Sequence, residues 1–200
     1  MSQKHENIAG GMSYRTLNGI NPSEIFEYLD GTDENSRNEV LVNIKDYYIA
    51  SANKTRYRLF LTKKRVEVGC LEPELYDTVE AKISESLKWL EYLDGAILKQ
   101  HDIANFLEPT LYKKWHVIKL VPSAVEGLLL TSLIKIKMDD FIGKNHELPE
   151  TMLSVRKSAE KKFIEILNLT SESDLKDAES MRVKAYNEIV ETEQKFSNLK

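Results

Sequence analysis

Glycine and proline are scarce in this chain of 200 residues, which contains eight glycines and five prolines. This is about half of average usage. Proteins built from many short strands need turn-forming residues roughly every 8–12 positions. The scarcity therefore argues against a β-sandwich or barrel and favours long helices joined by short connections.

Cysteine and long apolar runs are scarce as well. The single cysteine, Cys70, cannot form an internal disulfide, which fits a reducing compartment. Residues 1–11 lack the apolar core of a signal peptide. The longest strongly apolar stretch, residues 124–130, is much shorter than the ~20 residues of a membrane-spanning helix. We expect an intracellular protein, cytoplasmic or nuclear, without membrane insertion.

The common arrangements of catalytic and cofactor-binding residues are missing too. No glycine-rich nucleotide-binding motif occurs, and the four histidines never recur at three- or four-residue spacing. We therefore predict no cofactor, no metal ion and no enzymatic activity. One alternative stays open: His101, His116, Asp139 and Asp140 lie far apart in sequence, and a bundle could bring them together in one site.

The apolar residues that are present recur at helical spacing. The pattern predicts an all-α fold, a bundle of seven or eight helices with a long C-terminal helix. Pro109 and Pro122 are predicted to begin helices, and Gly95 to end one. Residues 122–141 are apolar on most sides, which is typical of a helix in the middle of a bundle.

Residues 56–71 are ambiguous, because apolar and polar residues alternate there as in a short β-hairpin. The hairpin would turn at Lys63 and Lys64, where both positions need positive φ and lysine is unfavourable. A helix through about Lys64 is the favoured prediction.

Three parts of the chain are expected. Residues 1–20 form a polar N-terminal tail, residues 21–168 the helical bundle, and residues 171–200 an amphipathic C-terminal helix. The narrow apolar side of the last helix suits one partner helix. That partner is either the bundle itself or, in a coiled-coil homo-oligomer, a second chain.

The clearest polar feature is a basic segment, residues 54–65, with no acidic residue between Tyr47 and Val66. Because the whole chain carries a formal charge of −4 and the segment +6, the remainder carries −10. Aromatic residues such as Tyr57 interleave with the cations, as in surfaces that bind nucleic acids. The candidate binding residues are Lys54, Arg56, Tyr57, Arg58, Lys63, Lys64 and Arg65.

Three short strings, ENSRN at 34–38, SLKWL at 86–90 and FLEPTLY at 106–112, occur in the order and near the spacing found in the helical lid of Hsp70-type chaperones. The resemblance implies a lid-like domain that covers a peptide groove. The peptide-binding β-sandwich that precedes such a lid has no counterpart in this sequence, and neither do the 88 residues after Tyr112.

The favoured interpretation is a non-catalytic adaptor or assembly subunit that binds a protein partner through helix grooves and the basic segment. Nucleic-acid binding is the alternative, although the acidic isoelectric point of about 5.7 is unlike that of most nucleic-acid-binding domains. A chaperone-related, lid-like domain is a further alternative.

Overall fold

A computed structural model describes residues 33–99, 109–144, 146–173, 175 and 177–199. Within these residues the protein is all-helical and contains no strand, which confirms the predicted fold class. The helices are α1 (Glu34–Glu67), α2 (Pro73–Lys99), α3 (Pro109–Gly143), α4 (Glu150–Leu167) and α5 (Ala178–Ser197).

Helix α3 lies at the centre and packs against each of the other four described helices. Val121, Ala124, Val125 and Leu128 are completely buried along it. No residue from 115 to 129 is exposed, which explains why the sequence is apolar all round there, whereas Leu130, Leu133, Ile136 and Ile142 are exposed further along the helix. The expected central position of residues 122–141 is thus confirmed.

By length and composition alone, residues Lys113–Gly143 could cross a membrane, and no other described helix could. We had expected no helix long and apolar enough to span a membrane, because the longest strongly apolar stretch, residues 124–130, is short. Within the apolar window of this helix, 72% is buried inside the protein. Packing in the bundle therefore accounts for its apolar character.

The described residues form five helices rather than the seven or eight predicted. Pro109 begins α3 as expected, but Pro122 lies inside the same helix, and Gly95 lies inside α2. An internal proline removes one backbone hydrogen bond, and the close packing around residues 121–125 holds α3 continuous across it. The helix predicted over residues 21–31 lies outside the described residues.

The possible β-hairpin at residues 56–71 is wrong, because α1 continues through Glu67. Leu59, Thr62 and Val66 are buried at the three- and four-residue spacing of a helix face. The chain turns only after α1 ends, where Gly69 adopts a φ of +90°. Such a conformation favours glycine.

The last helix packs on the bundle. Helix α5 begins at Ala178, a few residues later than predicted, and runs along both α4 and α3. Tyr186 donates a hydrogen bond to the Ser123 carbonyl, and Phe196 packs edge-on against Phe141, so α3 and α5 are parallel.

Helices α3 and α4 approach each other closely at Gly127. A Cβ atom added there would lie 2.4 Å from the ring of Phe163, which is itself fully buried. Real Cβ atoms essentially never lie that close to a non-bonded atom. Phe163 can therefore take this position only because residue 127 has no side chain.

We expect Gly127→Ala to destabilise the protein by about 1–3 kcal/mol, because the added methyl overpacks the core. Urea unfolding measures the effect. Gly95→Ala is the matched control: it is also helical but has open space around it, and it should stabilise by up to about 1 kcal/mol. Equal effects of the two changes would contradict the packing explanation.

A buried ion network joins the α1–α2 connection to α3 and α4. Arg156 of α4, only 5% exposed, donates hydrogen bonds to the carboxylates of Glu72 (3.0 Å) and Glu160 (2.6 Å). Lys135 of α3 donates to the other oxygen of Glu72 at 2.6 Å. Burial raises the pKa of Glu72, but the bond from Lys135 and the charge of Arg156 hold that pKa below its ordinary value.

Replacing Arg156 with methionine should cost about 3–5 kcal/mol of unfolding free energy, because Glu72 and Glu160 lose a shared buried cation. Denaturant unfolding of the Arg156→Met variant tests this. Lys157→Met, at an exposed neighbouring position of α4, should change stability by less than about 0.5 kcal/mol. A similarly small loss of stability in Arg156→Met would show that the ion network contributes little to the free energy of unfolding.

Candidate functional site

The basic segment, residues 54–65, lies within α1, and its cations point in different directions. Arg56 turns inward and pairs with Asp94 of α2. Arg58 also turns inward, donating from Nη2 to Glu126 (2.8 Å) and to Ser123 Oγ (3.0 Å) of α3. The structure therefore does not bring the six cations together on one surface.

The remaining cations of the segment lie on the solvent side. Lys54, Lys64 and Arg65 are exposed, and Lys63 is half-buried. Lys64 pairs with Glu67 at 2.7 Å, one turn later on the same helix. The outward charge is therefore smaller than the +6 of the sequence segment.

An apolar stripe with one cation runs along the outer side of α1. Tyr57 is 64% exposed, Phe60 52% and Val68 77%. Lys64 lies between the last two, with its Nζ 5.8 Å from the centroid of the Phe60 ring. These four residues, spaced by three, four and four positions, form what we call the outer stripe.

A pocket of about 440 Å³ lies on the opposite side of α1, where α1, α3 and the beginning of α5 meet. It gathers three cations from three helices, and we call it the basic pocket. Its lining residues are Arg58, His116, Lys119, Leu120, Ser123, Leu175, Ala178, Glu179 and Arg182.

Hydrogen bonds hold the walls of the basic pocket together. Ser123 accepts from Arg58 through Oγ, and its carbonyl accepts from the Tyr186 hydroxyl at 3.0 Å. Arg182 donates from Nε to Glu179 at 2.9 Å, and its guanidinium lies 5.9 Å from the Tyr186 ring centroid. The two arginines are thus fixed before any ligand binds.

Burial shifts the pKa values of two groups in the basic pocket. Burial lowers the pKa of Lys119 to about 8, although the negative charge of Glu179 opposes this. Burial and the nearby charge of Lys119 lower the pKa of His116 to about 4. At neutral pH the imidazole is therefore uncharged, while the ammonium group is largely charged.

Of the four residues that a bundle could have brought together in one site, the structure describes three and does not bring them together. His116 lies in the basic pocket, but Asp139 and Asp140 are exposed on α3, where Asp140 pairs with Lys144. His101 lies outside the described residues. Sequence reasoning missed Lys119 and the α5 residues, because nothing in their spacing shows that the beginning of α5 lies near Arg58 of α1.

The described helices thus define a five-helix bundle with a basic pocket and an outer stripe. Among the described residues, no cluster of three or more histidine, cysteine or acidic side chains is placed to hold a metal ion. No family model, curated protein or solved structure matches this chain with significance.

We expect the burial of His116 to make stability fall on acidification. Because its pKa is about 4 in the folded protein and about 6.5 when unfolded, the unfolded chain binds the extra proton between these values. From pH 7 to pH 4, the wild type should lose about 3 kcal/mol more unfolding free energy than His116→Gln.

Denaturant unfolding at several pH values measures this difference. His146→Gln, a change at an exposed histidine, serves as the control and should follow the wild type. A His116→Gln variant that loses as much stability as the wild type would show that the buried imidazole does not resist protonation.

Proposed function

We propose that the protein is a non-catalytic interaction protein, an adaptor or assembly subunit, that binds a protein partner through the outer stripe. The observation that carries the proposal is the exposure of Tyr57 and Phe60 on one side of α1 and of Val68 directly after its end, with Lys64 between Phe60 and Val68. Exposed large apolar residues grouped on one side are typical of interaction surfaces.

The spacing of the outer stripe favours a groove on another protein as its binding site. A helix that lies in a groove inserts side chains about one turn apart. Tyr57, Phe60, Lys64 and Val68 follow that spacing. The apolar members would fill the groove, and the exposed cations Lys54 and Arg65 beside them suit a groove with an acidic rim.

Nucleic-acid binding is the second candidate, through the same cations and aromatic rings. The pairing of Arg56 with Asp94 and of Arg58 with Glu126 leaves fewer cations for phosphate contacts. Lys64 is also matched by Glu67. These pairings support a protein partner over a nucleic acid.

Self-association through α5 would add a second contact. Val183 and Val190 are 45% and 51% exposed, and they are separated by one heptad. Two exposed valines at this spacing suit a coiled-coil pair with a second copy. Light scattering on the intact protein and on Val183→Ser/Val190→Ser measures whether a dimer forms and whether it needs these residues.

The double change Tyr57→Ser/Phe60→Ser should leave folding nearly intact and reduce partner binding at least tenfold, because it removes two anchors from the outer stripe. Quantitative affinity purification of the intact protein measures recovery of each bound protein. Tyr92→Ser is the matched control, since Tyr92 is 61% exposed on α2, outside the stripe.

Nuclease treatment of the same samples separates the two candidates. A partner that is retained after nuclease, lost from Tyr57→Ser/Phe60→Ser and kept by Tyr92→Ser supports the proposal. Equal recovery of the partner with the wild type, Tyr57→Ser/Phe60→Ser and Tyr92→Ser would contradict it. Recovery that disappears on nuclease treatment would favour the nucleic-acid candidate instead.

A further inference from the structure

The basic pocket gathers three cations. Arg58, Lys119 and Arg182 bring one each from α1, α3 and α5. Two acids among the described residues lie beside them: Glu179 next to Arg182, and Glu126 paired with Arg58. The three helices thus converge on a concave space lined by three positive side chains.

We propose that the basic pocket binds a small organic anion, a molecule with a phosphate or carboxylate group on an apolar body. The cations would hold the oxygen atoms, and the apolar wall would contact the rest of the molecule. Both groups present oxygens that a guanidinium can bind in pairs.

The two arginines keep unused N–H donors. Both hydrogen bonds of Arg58 leave from Nη2, and those of Arg182 leave from Nε and Nη2. A guanidinium carries five N–H donors in a fixed plane, so a ligand oxygen can be bound without breaking the existing pairs. A site ordered in advance loses little entropy on binding.

Burial disfavours the charged ammonium form of Lys119 and lowers its pKa to about 8, although the negative charge of Glu179 opposes this. An anion placed beside the ammonium group would stabilise the charged form and raise that pKa. Binding of an anion and protonation of Lys119 should therefore favour one another.

The size and the apolar wall point to an organic body rather than an inorganic ion. The volume of about 440 Å³ lies within the range of small-molecule sites, roughly 300–1,000 Å³. Leu120, Leu175 and Ala178 supply apolar surface. His116, uncharged at neutral pH, also lines the pocket.

Calorimetric titration of the full chain at pH 7 with phenyl phosphate, and separately with benzoate, tests the proposal. At least one probe should bind saturably with a Kd of about 1 mM or lower, typical of a weak small-molecule complex. The probe that binds more tightly identifies the oxygen group that the pocket prefers.

Lys119→Met and Arg182→Met should each weaken binding at least tenfold. Lys119→Arg keeps the positive charge and should retain most of the affinity. Lys113→Met is the control, because Lys113 is an exposed cation on the same helix outside the basic pocket. Thermal unfolding of each variant verifies that it is folded.

Proton uptake gives a second readout that a surface salt effect would not produce. At pH 8, where Lys119 is about half protonated, binding should draw up to about half a proton from the buffer. Titration in two buffers of different ionisation enthalpy measures this number, and Lys119→Met should abolish it. His116, with a pKa near 4, contributes nothing at this pH.

Two results would overturn the proposal: no saturable binding of either probe at up to ~10 mM, far above the expected Kd; or equal binding by Lys119→Met and Lys113→Met. Tyr57 and Phe60 do not line the basic pocket. These binding experiments therefore test the basic pocket independently of the outer stripe.

Discussion

The burial of α3 is the constraint on which the rest of this structure depends. Its residues are apolar on nearly every side, so exposure of any face to water would cost free energy in proportion to the apolar area exposed. Covering such a helix takes several neighbours, and α1, α2, α4 and α5 each contribute one packed side. The amphipathic character of α2, α4 and α5 follows, because each has one side on α3 and another toward solvent.

The charged side chains that are buried among the described residues are paired. Glu72 and Arg156 are buried, and each satisfies the other together with Lys135 and Glu160. The network connects the end of α1 to α3 and α4, so it also fixes how these elements are placed. The basic pocket forms by the opposite effect. Where α1, α3 and the beginning of α5 meet, their side chains leave a space that is only partly filled.

Much of the fold could be predicted from the sequence, because helix periodicity and apolar composition are local properties. The central position of α3 and the bounds of α4 could be predicted from these local properties. Three features could not be predicted. Continuity of α3 through Pro122 depends on tertiary packing, the close approach at Gly127 depends on Phe163 of another helix, and the pairing of Arg58 depends on Glu126. The partner in each of the last two cases lies more than thirty residues away.

The basic segment shows why a charge count along the chain is a poor guide to a surface. Tyr57 and Arg58 are adjacent in sequence, yet a helix rotates by about 100° per residue, so one points to solvent and the other into the basic pocket. The segment therefore contributes to two surfaces with different chemistry. The outer stripe is apolar with flanking cations, whereas the basic pocket is a concave charged space.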